Sequence, residues 1–81
     1  MAFHAEAMSE QKRNPISTLD DAVMWLASVG AHVIFFEDSH MRLYVTIGAK
    51  YFVERLLGEG GFDARGTLMM ATRELWEMVN A

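Results

Sequence analysis

The 81-residue chain has no cysteine and a single proline. Without cysteine there is no disulfide scaffold and no thiolate metal site, and a reducing, cytoplasmic setting is the expectation. One proline and a hydrophobic fraction of 52% exclude a disordered or low-complexity chain, which lacks the apolar surface to offset ordering entropy. Positive charge is also scarce. Seven Lys and Arg face eleven Asp and Glu, for a net charge of -4, a poor match for a phosphate backbone. Long apolar runs are missing as well. The longest uncharged stretch, Ala22 to Phe36, is shorter than the ~20 residues of a membrane span, and Gly30 and His32 interrupt it. At the N-terminus Lys12 and Arg13 follow the apolar residues, the reverse of a secretory signal. The length suits one domain.

Residues 1–15 lack periodicity and read as a flexible arm closed by Pro15, leaving residues 16–81 as a single small α+β domain. Thr18 followed by Asp21 signals a helix start, and Asp20 and Asp21 suit the positive end of the helix dipole. Leu19, Ala22, Val23, Leu26 and Val29 fall at helical spacing, and Gly30 stands where a helix-ending glycine belongs. A helix is expected over 18–29. Residues 31–37 and 42–47 are β-branched and aromatic, with Asp38 to Met41 between them, and read as an antiparallel hairpin. Pairing Glu37 with Arg42 sets opposite charges across the strands and places Phe35 against Tyr44.

Residues 49–57 carry Phe52, Val53, Leu56 and Leu57 in a helical stripe among good helix formers. The expected architecture is therefore a helix, a hairpin and two further helices packed on one sheet face. The alternative makes residues 50–57 a third strand, giving α-β-β-β-α, an order also found in double-stranded-RNA-binding domains. A glycine-rich loop at 58–66 leads to a final helix from Thr67 to about Val79, with Leu68, Ala71, Leu75 and Val79 on its core face.

No arrangement of residues points to catalysis. Asp38-Ser39-His40 has the residue types of a hydrolytic triad, but adjacent residues cannot converge as triad members do, and Asp and Ser are ordinary turn residues. His4, His32 and His40 have no metal-ligand spacing. Gly61 to Thr67 resembles a phosphate loop without its lysine, flanked by repelling Glu59 and Asp63. The chain is expected to be non-enzymatic and to need no metal or cofactor.

Its apolar surface, by contrast, exceeds what one small core uses. At about 100° per residue, the apolar arcs of both main helices cover roughly half the circumference, wider than a surface helix needs. Met24, Trp25, Met69, Met70 and Trp76 are left over, of residue types enriched at protein interfaces. A two-stranded hairpin also leaves unpaired edges. The expected function is a protein–protein interaction module, a homodimeric regulatory or accessory protein with no membrane role. The alternative is a small nucleic-acid-binding regulator using a sheet face around Phe35, Arg42 and Tyr44, where a ring and a guanidinium could stack on bases.

Overall fold

The computed structural model describes residues 13–81, and they form an α+β unit of order α-β-β-β-α. The elements are α1 (Leu19–Ser28), β1 (His32–Glu37), β2 (Met41–Ile47), β3 (Tyr51–Leu56), a 3-10 turn at Glu59–Gly61, and α2 (Ala64–Val79). Most of the expected arm lies outside the described residues. By Asn14, however, the chain already belongs to the domain. The Asn14 amide donates to the Arg73 carbonyl at 3.1 Å and to Glu77 at 3.0 Å, and its oxygen accepts from the Ile16 N–H at 2.9 Å. Arg73 in turn donates to the Ile16 carbonyl, and the Ile16 side chain is buried.

Helix α1 begins as its sequence implies. Thr18 Oγ1 accepts from the Asp21 N–H at 3.1 Å, and the Asp21 carboxylate accepts from the Thr18 and Ser17 N–H groups at 3.0 Å each. This reciprocal cap satisfies donors that a helix N-terminus otherwise leaves open. The Ser17 N–H and the Thr18 hydroxyl together hold the Asp21 carboxyl below its ordinary range. The helix stops at Gly30, whose φ of 68° lets the Ala31 N–H turn back to the Leu26 carbonyl at 2.9 Å.

The sheet is a meander, β1-β2-β3, with both pairs antiparallel. Residues 51–56 are thus its third strand, not the helix that their stripe suggests. Tyr51, Phe52 and Val53 suit a pleated surface, and pairing with β2 outweighs the helix propensity of the residues around them. Tyr51 and Val53 face α2, whereas Phe52, Glu54 and Leu56 face away.

The hairpin also pairs one residue out of step with expectation. Glu37 lies opposite Met41, Phe36 opposite Arg42, Phe35 opposite Leu43 and Ile34 opposite Tyr44. The cause is the loop. Asp38 Oδ1 accepts from the His40 N–H at 3.0 Å, and the Asp38 N–H donates to the His40 carbonyl at 3.3 Å. The turn is complete within Asp38, Ser39 and His40, so Met41 enters the strand. Since side chains alternate, the slip moves Phe35 to the helix side of the sheet, away from Tyr44.

Helix α2 lies across β2 and β3, and α1 packs on α2. Leu43, Val45 and Val53 from the sheet meet Leu26, Ala71 and Leu75 from the helices. A second cluster joins Ile16, Ala22 and Trp76, and Trp25 touches both. Asp63, not Thr67, caps α2, accepting from the Gly66 N–H at 2.8 Å. Thr67 and Thr72 are instead buried inside the helix, their hydroxyls donating to the carbonyls of Asp63 and Leu68. The buried face of α2 therefore runs through two threonines and Trp76, rotated from the Leu68–Val79 stripe.

Trp76 is only 6% exposed. Trp76→Ala is expected to destabilise the fold by about 3–5 kcal/mol through the cavity it leaves, whereas Met24→Ala, at an exposed helix position, should change stability by less than about 0.5 kcal/mol. Urea unfolding followed by circular dichroism measures both.

Candidate functional site

Among the described residues the helix layer covers β2 and β3 and stops short of β1. Val33, Ile34, Phe35 and Phe36 are respectively 37%, 47%, 53% and 44% exposed. Neighbours in a strand point to opposite faces, so four consecutive exposed residues mean that β1 is open on both sides. Among the described residues it is also an end strand, with backbone donors and acceptors along its outer edge.

On the face away from the helices, Ile34 and Phe36 continue into Tyr44, Phe52 and Leu56. The Phe36 ring meets Tyr44 edge-on, with centroids 5.1 Å apart and planes at 75°, and Tyr44 lies 6.3 Å from Phe52 at a tilt of 41°. A polar corner adjoins these rings. Arg42 donates to Glu54 at 2.9 Å and approaches Asp38 at 3.4 Å, and the Tyr44 hydroxyl donates to Glu54 at 3.1 Å. The Glu54 hydrogen bond, followed by the Asp38 charge, holds the Arg42 proton more firmly than usual. The Tyr44 phenol is raised, chiefly by its hydrogen bond to the same carboxylate and secondarily by loss of solvent around it.

The residues singled out from sequence are not gathered into one patch. Met24 is 72% exposed on α1, and Met70 is exposed on α2. Trp25 and Met69 are half-buried against the core, and Trp76 lies within it, so it is not an accessible anchor. Arg42 and Tyr44 share the open sheet face, but Phe35 is on the other side and Phe36 takes its place. Sequence reasoning missed Ile34, Phe36 and Phe52 as surface. The available signal was the unbroken run Val33–Phe36: an alternating strand in a two-layer domain can hide only half of it.

The remaining features have local roles. Asp38 closes the hairpin turn. The glycine-rich loop ends in the Asp63 cap, which places a carboxylate where an anion would bind. Between that loop, β3 and α2 is an open cavity of about 230 Å³, lined by Arg55, Glu59, Gly60, Phe62, Thr67 and Met70. It is smaller than the roughly 300–1,000 Å³ of typical ligand sites. Arg55 at its wall is bound to Glu74 at 2.8 Å and to Glu59 at 3.4 Å. Among the described residues no group of His, Asp and Glu could hold a metal ion, and no helix is long and apolar enough to cross a membrane.

With Tyr51→Phe as background, Tyr44 is the sole tyrosine. Its phenol is expected to titrate above the ordinary range in that protein, and adding Glu54→Gln should move the midpoint down. Ultraviolet titration of the two proteins reads the shift, and equal midpoints would show that Glu54 does not hold the hydroxyl.

No family model, curated protein or solved structure matches this chain.

Proposed function

We propose that the protein is a non-enzymatic interaction module, a homodimeric regulatory or accessory protein that acts by binding another protein. Its docking surface in this reading is β1 together with the open sheet face. The observation that carries the proposal is the exposure of Val33, Ile34, Phe35 and Phe36 on both faces of an end strand. Contiguous apolar surface beyond a few hundred Å² marks interaction sites, and an end strand adds main-chain hydrogen bonding to apolar contact. Phe36, Tyr44 and Phe52 supply large aromatic area of the kind that dominates interfaces. The helix methionines play a lesser part, because they are separated from one another.

A small nucleic-acid-binding regulator is the second reading, favoured by the three rings on one exposed sheet face. The charges around those rings weigh against it. Arg42 is engaged by Glu54 and Asp38, Arg55 by Glu74 and Glu59, and Arg65 by Asp63, so these cations are compensated rather than presented to phosphates. The element order shared with double-stranded-RNA-binding domains does not remedy that.

Phe36→Glu and Phe52→Glu replace exposed side chains and should leave circular dichroism unchanged. Each is expected to weaken capture of a partner from the native cell at least tenfold, and Phe36→Glu, on β1, also to weaken self-association in sedimentation of the purified chain. Met24→Glu, on the helical side, should not. Association unaffected by both sheet variants would remove the sheet as the docking surface. Binding of a single-stranded oligonucleotide at low salt, lost in Tyr44→Ala, would favour the second reading.

A further inference from the structure

We infer that β1 pairs with β1 of a second copy of this chain, antiparallel and centred on Phe35, extending the three-stranded sheet across a two-fold axis. This rests on the association reading above and specifies its partner and geometry.

The strand lacks the features that normally protect an end strand. His32–Glu37 contains no proline and no lysine, and its charge is confined to Glu37 at one end. Both faces of Val33–Phe36 are exposed, so a strand laid against this edge gains main-chain bonds and apolar contact above and below the sheet at once. The occupant must therefore offer both an unpaired strand edge and apolar side chains on each face. A second β1 meets both, because it brings the same apolar run with the same alternation.

Symmetry then restricts the register. Two antiparallel strands related by a two-fold axis normal to the sheet keep their faces, so a residue at the axis opposes itself. Centring on Phe35 sets Phe35 against its own copy, Ile34 against Phe36, Val33 against Glu37, and His32 against Asp38 just past the strand end. Phe35, the most exposed of the apolar run Val33–Phe36, is then at the middle of the contact, where binding energy concentrates. Each His32 imidazole also meets the acidic end of its partner, as a donor facing a carboxylate. Centring one residue earlier, on Ile34, sets His32 against Phe36 and Glu37 against Ala31, and the match of His32 with Asp38 is lost. In the favoured register α1 and α2 of both copies lie on one side and the open faces join into a single aromatic surface on the other.

The absence of native cysteine makes the register directly testable. Opposed residues in an antiparallel pair have Cα atoms about 4.5–5.5 Å apart, within disulfide range. Phe35→Cys should therefore give a covalent dimer in diamide. Glu37→Cys should not, because four residues of offset separate the copies by ~13 Å. Wild-type protein is expected to sediment as a dimer, and Phe35→Lys as a monomer with unchanged circular dichroism. Preferential cross-linking of Ile34→Cys would overturn the register. A dimer that survives Phe35→Lys and is lost in Phe52→Glu would overturn edge pairing in favour of face-to-face packing. A wild-type chain that stays monomeric at high micromolar concentration would overturn self-pairing altogether, while the association reading would stand or fall on capture by the sheet-face variants.

Discussion

The width of the helical layer is the constraint from which the rest of this structure follows. Helix α2 spans β2 and β3, and α1 is spent on α2 rather than on the sheet. Leu43, Val45 and Val53 gain full cover, and each such side chain contributes on the order of 1.5–3 kcal/mol. One strand further out no helix among the described residues meets Phe35 and Met41, although both are on the helix side. A strand as apolar as β1 is then left with the surface of a core element and the position of an edge. The proposed function comes from that mismatch, not from any cluster of reactive groups.

The open face is apolar, but it is not featureless. Glu54 is held at once by Arg42 and by the Tyr44 hydroxyl, and Asp38 approaches the same guanidinium. These groups are exposed, so the pairs add little stability. Their effect is on specificity. In the proposed docking, a partner approaching the rings would meet a cation already offset by two carboxylates, which suits a phosphate chain poorly.

Local signals were legible where they are chemically self-contained. The Thr18–Asp21 cap and the Gly30 stop each involve a few neighbouring residues, and both occur as read. The third strand was ambiguous because Phe52, Val53 and Leu56 fit a helical stripe, and only pairing with β2 decides between the two. The hairpin slipped because a turn closed by the Asp38 side chain is one residue shorter than charge matching of Glu37 with Arg42 suggests. That one residue exchanged Phe35 for Phe36 beside Tyr44. The buried face of α2 was misjudged because Thr67 and Thr72 read as polar, although each hydroxyl bonds to a carbonyl of its own helix. The helix methionines and Trp76 were plausible surface by composition, and which of them is covered depends on how α1 lies on α2.

The self-contained bonding of those two threonines bears on how the layers are held. The hydroxyls make no demand on the sheet, and the contact beneath them is apolar. Arg55 reaching from β3 to Glu74 on α2 is a directional link between the layers. The position of α2 over the strands is therefore set twice, by the interlocking shapes of Leu43, Val45, Val53, Ala71 and Leu75 and by one ion pair that acts as a peg between the layers.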